Sequence, residues 1–336
     1  MKIFEYNNRG IAPEISIVCV TYNASSFIRD ILTSFFQQDI IDRCEIIIGD
    51  DASIDNTVSL LQEFLHHSPC SAKLITRDKN IGAVSNWLHA LGSASGKFIA
   101  YIDGDDYYIS SRKLSNDLKA FHACENCNLV FSPSLKISNE STDGTARNVY
   151  KSWNTNKVDL PWVLRQGGGF YPTSSVFFKR SLLLGLPKWF FVTHCTGDLP
   201  LAAAAVHNGG LICYRQGIDT GYRIHDQSLT HFKRSVFMTF RVNNKKKKNN
   251  CEFYRLLHKD GFISNELYLE LTMKEEYIFF AKLFDVGVYK YCIKESLGIL
   301  SVKYLIRLYA KLIFVLGKNM HKSLSESFSR TNGTAF

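Results

Sequence analysis

The chain has 336 residues, 46% of them hydrophobic and 21% charged, with 40 Lys and Arg against 31 Asp and Glu for a net charge of +9. That balance excludes a disordered or low-complexity protein and supplies one large core with an appendage rather than three domains. Nine cysteines, an odd number without framework spacing, exclude a small disulfide scaffold. Several, such as Cys19 and Cys213, sit in apolar runs and predict buried free thiols in a reducing compartment.

The polar first residues, Glu5 among them, predict no signal peptide. From Ile15 onward, short β-rich runs alternate with helical patterns. A strand is expected at 15–20, then a helix carrying Phe27, Ile28, Ile31, Leu32, Phe35 and Phe36 at helical spacing. A strand at 45–49 precedes a helix with Val58, Leu61 and Leu65 on one face. A third strand at 72–76 precedes a helix at 84–91, and a fourth begins at Phe98 and ends at Asp103. This alternation predicts an α/β fold, a mostly parallel sheet with helices on both faces. Beyond it come a helix at 113–122, a strand at 129–132 and an irregular segment at 151–171. A strand at 174–178, a buried helix at 199–206 and a strand at 211–214 follow. Four lysines at 245–248 between asparagines read as a solvated loop and a candidate domain boundary. Cys124 and Cys127 form a C-x-x-C without a second pair, which argues against a metal or redox role.

The stretch 98–106 carries the densest chemistry. An apolar strand ends in Asp103, Asp105 and Asp106, hinged on Gly104, at the sheet edge where open α/β folds place their ligands. Three crowded carboxylates raise one another's pKa unless a cation neutralises them, and hard oxygen ligands suit Mg²⁺ or Mn²⁺. A solvated acidic turn is the plain alternative. The first strand ends Val20-Thr21-Tyr22-Asn23, without the glycines that let backbone approach a dinucleotide pyrophosphate, so a dinucleotide fold is excluded. The second ends Gly49-Asp50-Asp51-Ala52-Ser53. Helix capping accounts for Asp55 or Asn56 but not for Asp51, whose carboxylate suits a base N–H or a ribose hydroxyl.

These strings, together with Asn80-Ile81-Gly82 and Asn86, resemble glycosyltransferase family 2, inverting enzymes of the GT-A fold, in order and spacing over about 90 residues. The resemblance extends more loosely to Ser228. It implies a nucleotide-sugar donor, a UDP-sugar in this reading, held by Thr21, Tyr22, Asn23, Asp51, Asn80, Gly82, Asn86, Asp103 and Arg223. It implies Mn²⁺ or Mg²⁺ on Asp105, Asp106 and His225, and an inverting hexosyl- or N-acetylhexosaminyltransferase. The catalytic base of similar enzymes matches Asp198 in Thr196-Gly197-Asp198-Leu199-Pro200, where Gly197 replaces the usual Glu. A helix cap is the alternative for Asp198, since Pro200 suits a first turn. The string Tyr222-Arg223-Ile224-His225-Asp226-Gln227-Ser228 resembles the closing motif of many members.

The resulting expectation is a GT-A catalytic domain at 1–235, with a nucleotide-sugar half at about 13–110 and an acceptor half at about 111–235. A helical, basic region follows at 236–336. Within it, Lys303, Arg307, Lys311 and Lys318 line one sector of an apolar helix at 297–318, which suits an anionic membrane surface better than a span. A helix packed on the catalytic domain is the alternative. The expected acceptor is a glycan or polyprenyl-diphosphate-linked sugar in O-antigen, capsule or exopolysaccharide synthesis. The expected place is the cytoplasm, peripheral on the inner face of the membrane, with no nucleic acid partner. Two other readings stand beside this one: a non-catalytic nucleotide-binding or scaffold protein, and a haloacid-dehalogenase-like phosphatase.

Overall fold

The computed structural model describes residues 1–8, 10, 12–138, 146–147, 158–167, 169–187, 189–192, 197–207, 209–225 and 236–285. The chain divides into two compact units, Met1–Phe232 and Lys233–Phe336. The segment 297–318 and residues 226–228 lie outside the described residues, as does 151–157.

In the first unit the elements run β1 (Lys2–Tyr6), β2 (Ile15–Thr21), α1 (Ile28–Phe36), β3 (Cys44–Asp50), α2 (Thr57–Leu65), β4 (Ser71–Thr76), α3 (Ala83–Gly92) and β5 (Phe98–Asp103). They continue with β6 (Tyr107–Tyr108), α4 (Lys113–Ala123), β7 (Cys127–Phe131), β8 (Ser134–Ser138), β9 (Ala146–Arg147), α5 (Leu160–Gln166) and β10 (Phe177–Lys179). The unit closes with α6 (Trp189–Val192), α7 (Asp198–His207), β11 (Leu211–Tyr214) and β12 (Thr220–Ile224).

Among the described residues the main sheet has the order β1-β4-β3-β2-β5-β10-β7-β11. β4, β3, β2 and β5 are parallel. β2 and β3 are buried along almost their whole length, as strands covered by helices on both faces must be. That is why they read as continuous apolar runs. β1 pairs antiparallel on the outer edge, and β10 is antiparallel to both β5 and β7. A smaller sheet, β6-β12-β8-β9, stands beside the C-terminal end of β5.

Two buried polar clusters fix this frame. Glu45 is buried in β3, and its Oε1 accepts from Ser16 Oγ (2.6 Å), Ser95 N (2.6 Å) and Ser95 Oγ (2.8 Å). The carboxylate thereby ties β3 to β2 and to the entry of β5. Lys113, fully buried, pairs with the equally buried Asp117 at 2.5 Å. Arg215 bridges Asp117 (2.8 Å) and Asp219 (2.7 Å), which locks α4 to the segment between β11 and β12.

Several expectations are corrected. The strand expected at 174–178 starts later, because residues 173–175 form a 3₁₀ turn ahead of β10. The irregular segment contains α5, capped by the Asp159 side chain on Trp162 N (2.8 Å). The thiol expected at Cys213 is instead joined to Cys124 in a disulfide. β11 lies parallel to β7, so residues 89 positions apart meet.

In the second unit, α8 (Val236–Lys259) pairs with α9 (Asn265–Asp285). The lysines at 245–248 lie inside α8 and not in a loop. Lysine is a good helix former, and Lys247 reaches Glu276 (2.9 Å) and the Phe279 ring (4.5 Å) on α9. The neighbouring asparagine is accommodated because Asn250 donates to the buried Glu275 at 2.9 Å. Among the described residues no helix is long and apolar enough to cross a membrane.

Candidate active site

The site forms where β5 runs out. Gly104 sits between the first two acids because a Cβ there would run into the Val20 carbonyl oxygen and stand 2.9 Å from Thr21 Cγ2. The turn is thus pressed against the end of β2, and the three carboxylates leave it in different directions.

Asp103 accepts from Tyr101 Oη at 2.5 Å and from Ser174 Oγ at 3.3 Å. Burial pushes its carboxyl up to about 6, and the Asp105 charge adds to the rise, as does that of Asp198. Asp105 is partly open, and its Oδ2 lies 3.0 Å from Nε2 of His225. Asp106 turns inward and is fully buried, one oxygen accepting from Ser174 Oγ and the other from the Arg223 backbone N–H at 2.9 Å. Burial, reinforced by Asp105 and Asp103, holds the Asp106 carboxyl well above the usual range. Both Asp106 oxygens accept hydrogen bonds here, one from Ser174 and one from the Arg223 amide. The residue fastens β12 and the Ser174 turn beneath the site.

Asp105 and His225 therefore offer an open oxygen and nitrogen pair beside Asp103. That hard donor set, crowded with negative charge, fits a divalent cation of the Mg²⁺ or Mn²⁺ kind.

Arg223 stands over the rings of Phe27 (5.0 Å) and Tyr107 (4.6 Å), and its guanidinium reaches Asp30 at 2.6 Å. The Phe27 ring also packs on His225, with centroids 4.8 Å apart. The end of α1 thus supports both residues that β12 brings to the acids.

On the other side, the loops after β2 and β3 interlock. Thr21 Oγ1 donates to Asp50 (3.0 Å), and Asp50 also accepts from Ser53 N (2.9 Å) and Ser53 Oγ (2.5 Å). This clasp holds Ala52 at φ 61°, a left-handed conformation that costs a non-glycine residue energy. Asn23, at φ 50°, accepts from Ile54 N at 2.9 Å. The buried Asp51 takes one N–H on each oxygen, from Ile81 and Gly82, both at 2.8 Å. Asn80 accepts from Gly82 N at 3.1 Å. Tyr22 is exposed at the rim. Asn86, expected against the donor, is 1% exposed and joins Gly49 O (2.7 Å) to Arg77 Nε (3.1 Å). It positions the end of β3.

Asp198 opens α7 and is 8% exposed, and its Oδ1 has no hydrogen-bond partner among the described residues. Its backbone oxygen accepts from Tyr171 Oη at 2.6 Å. A Cβ on Gly197 would stand 3.6 Å from Trp87. Trp87 packs edge-on against Tyr101, which holds Asp103. A continuous line of contacts thus joins the start of α7 to the acids. The Glu usual at position 197 is absent here, where any longer side chain would have to pass the Trp87 ring.

Ser174, Tyr101, Phe27, Tyr107, Asp30, Tyr171 and Trp87 were not anticipated. Only the Pro172-Thr-Ser-Ser turn left a local signal, and it was absorbed into a strand.

The fold is an α/β domain whose acids gather at the C-terminal end of a central parallel strand. Residues 16–183 match the model of glycosyl transferase family 2, half of the chain, and the protein belongs to that family. A Campylobacter jejuni protein named GalNAc(5)-diNAcBac-PP-undecaprenol beta-1,3-glucosyltransferase is 27% identical over 175 residues, 51% of this chain and 53% of its own. The chain spans about half the length of the curated relatives it matches first. Two solved structures share the fold. S. aureus TarS 1-349 in complex with UDP has TM-score 0.52 at 17% identity, over 96% of this chain and 93% of that one. The Pyrobaculum calidifontis mannosyltransferase PcManGT, in complex with GDP-Man and Mn²⁺, has TM-score 0.54 at 16% identity, over 92% and 82%. The architecture is GT-A, as expected. The phosphatase alternative loses its basis, since its nucleophilic acid belongs on a first strand and these acids follow β5.

Proposed function

We propose that this chain is a metal-dependent, inverting glycosyltransferase that takes a sugar from a nucleotide donor, most simply a UDP-sugar. The acceptor we propose is a glycan or a polyprenyl-diphosphate-linked sugar in surface-polysaccharide synthesis. The observation that carries this reading is the meeting of Asp103, Asp105 and His225 at the sheet edge, with Asp198 connected to them through Trp87 and Tyr101.

Asp105 and His225 would hold the cation, which when bound supplies positive charge against the diphosphate leaving group. Asp103 faces the ribose side, oriented by Tyr101 and Ser174. Asp51, by fixing the Ile81 and Gly82 amides, shapes the wall that receives the base, and Tyr22 supplies an exposed ring at its rim. Thr21, Asn23, Asn80 and Gly82 complete that wall. Arg223, steadied by two aromatic rings, brings a fixed guanidinium to the phosphate side. Asp198 accepts the acceptor hydroxyl proton as that oxygen attacks the anomeric carbon. TarS with UDP and PcManGT with GDP-Man and Mn²⁺ support the donor class and the metal. The C. jejuni relative's name supports a lipid-linked acceptor. We further propose that 1–235 is the catalytic domain and that the basic segment 297–318 meets the inner face of the cytoplasmic membrane.

A panel of nucleotide sugars, assayed for nucleoside diphosphate release with and without Mn²⁺ or Mg²⁺, tests the reading. EDTA and Asp105→Ala should each abolish release, with metal restoring only the wild type. Full activity of the variant or of the chelated enzyme rejects it, and so does the absence of turnover with every donor.

A further inference from the structure

The Cys124-x-x-Cys127 pair has its missing partner in Cys213. The Sγ atoms of Cys124, Cys127 and Cys213 all lie within 4.8 Å of one another. Each comes from a different rigid piece: the C-terminal cap of α4, the first residue of β7 and the interior of β11. A tight turn closes the C-x-x-C, with Cys127 N donating to Cys124 O at 3.2 Å and Asn126 at φ 56°. Cys127 and Cys213 are buried, while Cys124 is half-buried at the surface side.

This cluster is separate from the acids. β7 runs in the same direction as β5, since both are antiparallel to β10. Cys127 opens β7 whereas Asp103 closes β5, so the thiols gather toward the opposite edge of the sheet.

Three sulfurs on rigid supports match a soft cation. Zinc–thiolate bonds of about 2.3 Å place sulfurs roughly 3.8 Å apart in a tetrahedral site, within the spread seen here. We propose that Cys124, Cys127 and Cys213, with the Cys124–Cys213 bond reduced, bind one soft divalent cation of the zinc type. The fourth position is left to water or an external thiol on the Cys124 side. An external dithiol supplies two electrons and two protons and becomes a disulfide, or a phosphine supplies two electrons and becomes its oxide while water supplies the protons and the oxygen; either converts the disulfide into two thiols. Three sulfurs then bind as thiolates and release three protons to solvent. The disulfide is the metal-free, oxidised form of the same centre and ties α4 to β11 across 89 residues, while the metal-bound form would add β7 through Cys127.

The test uses the full chain, reduced with a phosphine, desalted without oxygen and titrated with Co²⁺. Saturation at one equivalent is expected, with a thiolate-to-cobalt charge-transfer band and the visible bands of a tetrahedral ion. Zn²⁺ should bleach both. Cys127→Ser and Cys213→Ser should weaken binding at least about tenfold, while Cys251→Ser, in the second unit, should leave it unchanged. If the buried variants fail to fold by circular dichroism, Cys124→Ser at the half-buried position carries the comparison. No charge-transfer band at one equivalent overturns the proposal. So does undiminished binding in a folded cluster variant, or equal binding by the unreduced protein.

Discussion

Asp198→Asn puts the proton acceptor to the sharpest test. The amide keeps the shape of the carboxylate and removes its basicity. The main chain should not move, because Tyr171 Oη holds the Asp198 carbonyl at 2.6 Å and Leu201 N bonds to Gly197 O at 3.4 Å. Oδ1 of Asp198 has no hydrogen-bond partner among the described residues, so little local structure is lost with the charge. A positioned general base contributes about 10²–10⁴-fold, or about 2.7–5.4 kcal/mol of barrier. The expected result is a fall in kcat of about 10²-fold or more, with donor affinity within about twofold of wild type. Nucleoside diphosphate release measures the first, and calorimetric titration of the nucleotide sugar the second. Tyr171→Phe is the control, since it deletes one hydrogen bond worth about 1 kcal/mol and should cost far less. If Asp198→Asn loses donor affinity while kcat survives, Asp198 is a binding or capping residue and the base lies elsewhere.

Asp117→Ala should strand the fully buried Lys113, leaving it Ser175 O at 3.3 Å and the Tyr108 ring at 5.1 Å but no counter-charge in contact, and cost about 3–5 kcal/mol in urea unfolding. A loss below about 1 kcal/mol would show that the Lys113–Asp117–Arg215 cluster is not a structural lock. Gly104→Ala should push the acid turn off the end of β2 and lower kcat by about 10²-fold, as small misplacements of reacting groups do; near-wild-type turnover would mean that the turn adapts. Neutralising Lys303, Arg307 and Lys311 should release the protein from anionic vesicles. At about 1 kcal/mol per cation the partition coefficient should drop on the order of 10²-fold, with high salt acting in the same direction. Wild-type protein that never sediments with such vesicles removes the membrane reading.

The parallel core was legible because burial on both faces writes itself into composition. β2, β3 and β5 had to be largely apolar, with the buried Ser16 and Glu45 bonded to each other, and their helices had to be apolar on one stripe. Two of the strands that the sequence pattern does not show, β1 and β12, have partners far away in the chain. β1 alternates exposed and partly buried residues and exists only because β4 offers an open edge, from Lys2 opposite Thr76 to Tyr6 opposite Ala72. β12 joins β8 in parallel, from Thr220 opposite Ser134 to Ile224 opposite Ser138, and no local pattern announces that pairing. The lysine run misled for the opposite reason. Its charges suggested solvent, while the acid and the ring that accept Lys247 stand on another helix.

At the site, the sequence named the acids but not what each one touches. Asp105 and Asp106 are adjacent and chemically identical, yet the turn at Gly104 sends one outward to His225 and the other inward to Ser174 and the Arg223 amide. Direction is set by contacts 68 and 117 residues away, which a spacing rule cannot contain. The same holds for Asn86, whose side chain belongs to Gly49 and Arg77. A run of carboxylates at a strand end therefore locates chemistry to within a turn. The division of that chemistry between ligand and support is made by the second half of the domain. Ser174, Arg223 and His225 all come after β7 in the chain, so the stretch that ends at Asp106 carries the acids without the partners that orient them.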